Sequence, residues 1–117
     1  MRPSTSVVLL LATLLLVAAA WTPQPAMAGQ SAPAAKSYTV IINTMKFQPE
    51  TLTVNRGDTV IWKNIDIVPH TATATGKAFN SGRLVKGASW KFTPQKAGTY
   101  DYICTLHPNM KAKLIVQ

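Results

Sequence analysis

From Ser37 onward, apolar and polar residues alternate with a period of two, the pattern of half-buried strands rather than helices. Tyr38, Val40 and Ile42 alternate with Thr39, Ile41 and Asn43, and Leu52 and Val54 with Thr51 and Thr53. The tetrapeptide Asn55-Arg56-Gly57-Asp58 is a turn, with glycine where a positive φ is needed. It leads into a strand at Thr59-Val60-Ile61-Trp62-Lys63, and further strands are expected over 88–93, 99–104 and 111–116. Pro94 to Gly98 forms the turn between two of them. After Ala28 no window of ten residues carries a 3.6-residue period with a capping signal. Many short strands separated by turns predict an all-β domain, a sandwich or a small barrel. Tyr100, Tyr102 and Cys104 have the same parity and share one strand face, and Trp62 and Trp90 are assigned to the core.

The N-terminal part departs from this pattern. Val7 to Ala20 is apolar apart from Thr13, a run too short to span a bilayer, which takes about 20 residues. A basic Arg2, this short apolar stretch and the small residues of Ala26-Met27-Ala28 predict a Sec-type signal peptide over residues 1–28. The alternative, a retained anchor helix, fits poorly with Pro23 and Pro25. Residues 29–36, rich in Ala, Ser and Pro, read as a disordered leader, and residues 37–117 as one small domain. The expected product is a periplasmic or secreted monomer with no membrane insertion of the mature form.

Charge narrows the partners. Twelve Lys and Arg stand against four Asp and Glu, a formal +8, and loss of Arg2 leaves +7. Such a field favours acidic partners and salt-dependent encounter. Nucleic acid is not expected as a partner: the basic residues are scattered singly, without an aromatic-basic stripe.

The chemistry is concentrated in four residues. Cys104 is the only cysteine, so no internal disulfide exists, and an exported free thiol calls for a role. Cys104-Thr105-Leu106-His107-Pro108-Asn109-Met110 is a Cys-x2-His-x2-Met loop at a strand end. A thiolate, an imidazole and a thioether suit copper, and a second imidazole would complete a His2Cys plane with a weak axial Met, the type 1 (blue) copper arrangement. His70 is the only other histidine. Zinc gains nothing from the thioether. A cysteine nucleophile with His107 as base lacks a glycine-rich oxyanion loop beside Cys104.

These residues carry a resemblance to the plastocyanin-like cupredoxins, and within them to the amicyanins. The matching stretches are Met45-Lys46-Phe47, Arg56 to Val60, Trp62-Lys63-Asn64, Pro69-His70, and Ala97 through Tyr102 to Met110. The resemblance implies an eight-stranded Greek-key β-sandwich with one copper at one end. It implies ligands His70, Cys104, His107 and Met110, with Asn64 tying the ligand loops and Thr71 offering its N–H to the Cys104 sulfur. Three positions depart from the amicyanin pattern. Leu106 replaces a proline, and its N–H is expected to donate a second hydrogen bond to the thiolate and raise the reduction potential. Asn109 replaces an aromatic residue and Thr71 an asparagine, a more polar rim than one that docks methylamine dehydrogenase.

The expected function is single-electron transfer to or from an acidic redox protein, such as a c-type cytochrome or a periplasmic dehydrogenase, and not enzymatic turnover. A copper module for storage, delivery or sensing is the alternative. Met45, Val68, Pro69, Leu84, Leu106 and Pro108 are expected to form an apolar patch around the edge of His107.

Overall fold

A computed structural model describes residues 18–25, 29 and 33–117. The chain divides into two units, Met1–Ser31 and Ala32–Gln117. In the first, the described residues form no helix or strand, and the expected cleavage site lies outside the described residues.

The second unit is built from eight strands in two four-stranded sheets. Sheet A has the order β2(Lys46–Gln48), β1(Ser37–Asn43), β4(Thr59–Asn64), β6(Ser89–Phe92). Sheet B has the order β3(Thr51–Val54), β8(Lys111–Val116), β7(Gly98–Ile103), β5(Thr73–Ala74). Two pairings, β1 with β4 and β3 with β8, are parallel, and the others antiparallel. This is the expected all-β sandwich. The two strands not anticipated, β2 and β5, have three and two residues, too few for an alternation to register.

Alternation sets which residues form the core. Val40 and Ile42 of β1, Val60 and Trp62 of β4, and Leu114 and Val116 of β8 point inward and are buried. Tyr102 of β7 meets Trp62 edge-on at 5.6 Å and Phe47 at 4.8 Å, closing the gap between the sheets. Trp90 of β6 stands opposite Trp62 in register and packs on it at 5.7 Å, half-buried. Each such buried side chain contributes about 1.5–3 kcal/mol by leaving water. Gly57 adopts a φ of +85° in the β3–β4 turn, the conformation glycine was expected to supply.

One register positions the chemistry. Thr73 pairs with Ile103 in the antiparallel β5–β7 ladder. Extended past its last pair, that ladder sets residues just before Thr73 beside those just after Ile103. The segment leaving β4 through His70 is therefore delivered to the loop that follows β7.

Candidate metal centre

Cys104 follows the last residue of β7 and is fully buried. The seven-residue loop from Cys104 to Met110 joins β7 to β8 and is closed by its own backbone. Cys104 N–H donates to the Met110 carbonyl at 3.1 Å, His107 N–H to the Cys104 carbonyl at 3.3 Å, and Met110 N–H to the His107 carbonyl at 2.9 Å. The turn folds His107 back over the thiol, and Met110, buried, sits at the loop base. His70 enters from the crossover between the sheets. Its backbone forms a two-way bridge with Leu84, at 3.0 and 2.7 Å.

The three donor atoms converge. Cys104 Sγ lies 3.7 Å from His70 Nδ1 and 3.6 Å from His107 Nδ1, and the two nitrogens are 3.2 Å apart. His70, Cys104 and His107 form a group able to hold a metal ion, with ligand atoms within 4.8 Å of one another. A point equidistant from all three atoms lies about 2.0 Å from each, the length of a metal–imidazole bond. Two borderline nitrogen donors, a soft thiolate and a buried thioether nearby are the donor set of copper rather than of a structural zinc. The residues fit the metal.

The surroundings fix the donors. His70 Nε2 lies 3.0 Å from Asp66 Oδ2. With that carboxylate ionised, Nε2 carries the proton and the Nδ1 lone pair faces the centre. The Met45 N–H holds the Asp66 carboxyl below its usual range, helped by the His70 side chain and the Ile67 N–H. Thr71 N–H donates to Cys104 Sγ over 3.3 Å. Thr71 Oγ1 accepts the Thr105 N–H at 2.9 Å, so the residue after His70 is tied to the residue after Cys104.

Some sequence assignments sit differently in the structure. Among the described residues Asn64 makes no hydrogen bond to the Cys104–Met110 loop. Its amide donates to the carbonyls of Val68 and Leu84, at 2.9 and 2.8 Å, and its oxygen accepts the Asp66 N–H, so it shapes the His70 loop and ties it to the Leu84 segment. The tie between the two ligand loops is the Thr71–Thr105 pair. Leu106 N–H makes no hydrogen bond to Sγ among the described residues. It occupies the third position of the turn that His107 N–H closes, and the residue is 46% exposed. The raised potential expected from Leu106 thus has no contact behind it. Leu84 is buried beneath the surface rather than part of a patch. No sequence signal marks Asp66 or Thr105, because both lie in loops, where no periodicity distinguishes a facing residue.

Residues 8–116 match the cupredoxin-like domain family. Amicyanin of Paracoccus versutus is 35% identical over 88 residues, covering 71% of this chain and 67% of that protein. Amicyanin of Paracoccus denitrificans is 40% identical over 83 residues, covering 67% and 63%. The chain thus spans about two thirds of the length of these relatives. Among solved structures, the Cu(I) form of an amicyanin mutant superposes with a TM-score of 0.66 at 36% identity, covering 72% of this chain and 85% of that one. Sequence, fold and donor set agree, and the chain belongs to the cupredoxin-like family and is similar to amicyanins.

Proposed function

We propose that the protein is a one-electron carrier that holds a single type 1 copper ion through His70, Cys104, His107 and Met110 and works outside the cytoplasm. The observation that carries this reading is the convergence of Cys104 Sγ and the two Nδ1 atoms at 3.2–3.7 Å. Copper bound there supplies a Cu(I)/Cu(II) couple. The chain's part is to hold one geometry for both oxidation states, and each donor is anchored for it. His70 is fixed by Asp66 and Leu84, Cys104 by Thr71, and His107 by the turn. Preset donors favour a shuttle over a delivery module, which needs flexible His- or Met-rich segments to hand copper on.

His107 is the ligand nearest to solvent, half-buried beside exposed Leu106 and Pro108. With Met45, Pro108, Asn109 and Met110 it lines a shallow depression of about 250 Å³. A small apolar rim suits the brief contact of redox partners. The lysines outside it favour an acidic redox protein, in the class of a c-type cytochrome or a periplasmic dehydrogenase. In this reading the protein turns over no substrate of its own.

The test is direct. Purified protein given Cu(II) should turn intensely blue or green, and Cys104→Ser should abolish the colour while the protein stays folded. A colourless copper adduct of the wild type sinks the type 1 assignment.

A further inference from the structure

The side chain of Thr71 belongs to a row of hydroxyls that runs away from the metal centre. Thr71 Oγ1 lies 3.0 Å from Thr105 Oγ1 on one side and 3.0 Å from Thr73 Oγ1 on the other. Thr73 Oγ1 donates to Asn80 Oδ1 at 3.1 Å. The same Oδ1 accepts the Gly82 N–H at 2.9 Å, which identifies that atom as oxygen and fixes the orientation of the amide.

Donor counting then sets the direction of the whole row. A hydroxyl has one proton and two lone pairs. The Thr73 proton is committed to Asn80, so the Thr71 proton points to Thr73. With that proton spent, Thr105 must donate its own to Thr71. Thr71 Oγ1 thus gives one bond and accepts two, from the N–H and the O–H of Thr105, and its capacity is full. Bonds aligned head to tail polarise and strengthen one another.

Asn80, at the outer end, is held from both sides. Thr73 and Asn80 form a backbone bridge, Phe79 is buried in the aromatic core, and Ser81 N–H donates to the Ala72 carbonyl at 2.9 Å. At the inner end the row pins Thr71, whose N–H meets the thiol sulfur, and Thr105, which follows Cys104 directly.

We propose that exposed Asn80 is a positioning residue for the metal centre, orienting the Thr73–Thr71–Thr105 hydroxyls so that the Thr71 N–H is held on Cys104 Sγ. Its consequence at the sulfur rests on reading Cys104 as a copper ligand; the hydroxyl relay itself does not.

Two measurements test it. In the metal-free protein, Asn80→Ala should speed amide hydrogen exchange at Thr105 about fivefold, the factor that corresponds to the net worth of one hydrogen bond. In the copper-loaded protein it should lower the reduction potential, because a weaker N–H contact leaves more charge on the sulfur and disfavours Cu(I). Asn80→Asp keeps the acceptor oxygen and should restore both values. Thr73→Val should reproduce both defects and Thr73→Ser repair them. In the Thr73→Val background, Asn80→Ala should add nothing further. An Asn80→Ala effect undiminished in that background means that Asn80 acts through the Gly82 turn, and the proposal is overturned. An unchanged exchange rate at Thr105 overturns it as well. The exchange arm needs no metal and judges the relay even where copper gives no thiolate band, a failure that counts against the copper reading instead.

Discussion

Asp66 Oδ2 accepts the His70 Nε2–H at 3.0 Å and the Met45 N–H at the same distance. One carboxylate oxygen therefore joins His70 of the candidate metal centre to the turn between β1 and β2. That turn is strained, with Thr44 and Met45 at φ of +50° and +63°. Asp66 both aims the imidazole and steadies the wall of the depression beside His107.

Asp66→Ala should leave His70 Nε2 without its carboxylate acceptor. Copper affinity is expected to fall about 10–100-fold, the usual effect of losing a partner behind a ligand histidine. Competition against a chelator of known affinity measures it. An affinity equal to wild type would show that the Leu84 bridge alone aligns His70.

Acid should weaken the fold through Asp58. The Lys36 N–H and the Asn55 N–H hold its carboxyl below the ordinary value of 3.8. A carboxyl depressed on folding stabilises fully above its unfolded pKa, and that stabilisation is lost as pH falls through the folded one. Urea unfolding should show stability dropping below about pH 4, with a shallower pH dependence in Asp58→Asn. Identical slopes in both proteins would remove Asp58 from the account.

Removing copper should destabilise the domain. A ligand present at a thousand times its Kd adds about 4.1 kcal/mol, worth roughly 20 °C in Tm for a domain of this size. Calorimetry with and without chelator reads the shift. Cys104→Ser should show little of it, and an equal shift in that variant would point to copper binding elsewhere.

Tyr102 tells a different story. Its buried hydroxyl has no hydrogen-bond partner among the described residues, and burial pushes the phenol up to about 12, with the Trp62 side chain pulling the other way. A buried polar group left unpaired costs stability. Tyr102→Phe should therefore be neutral or stabilising by about 1 kcal/mol in thermal unfolding. A loss of 2 kcal/mol or more, about twice that figure, would mean that the hydroxyl has a partner in solution.

Association with an acidic redox protein should slow as salt rises, since surface charges are screened beyond about 8 Å at physiological ionic strength. Stopped-flow rates across a salt series check this. A flat series would leave the apolar rim as the whole of recognition.

Much of this was legible in the residues. Alternation, runs of strand-forming residues and the turns between them mark six of the eight strands, and β2 and β5 escape these signals for their brevity. Cys104, His107 and Met110 announced themselves by spacing within one short loop. His70 is assigned by elimination and by likeness, because nothing local to it shows that the crossover enters sheet B at β5, beside β7. The Asn64, Asp66 and Asn80 contacts form inside irregular loops, some between residues only two to seven apart, where no periodicity marks which side chains turn toward each other. The Thr71 contacts with Cys104 and Thr105 join loops 33 and 34 residues apart, which pattern along the chain does not record. Register does: once Thr73 pairs with Ile103, the meeting of Thr71 with Thr105 follows.

The crossover that carries His70 leaves sheet A after β4 and enters sheet B at β5. Cys104, His107 and Met110 all belong to the single β7–β8 connection. A partly folded chain with that hairpin alone offers three of the four donors, and the fourth arrives only when the crossover docks. The complete donor set is thus a reporter of assembly: a chain that can take up copper in its final geometry has already joined its two sheets.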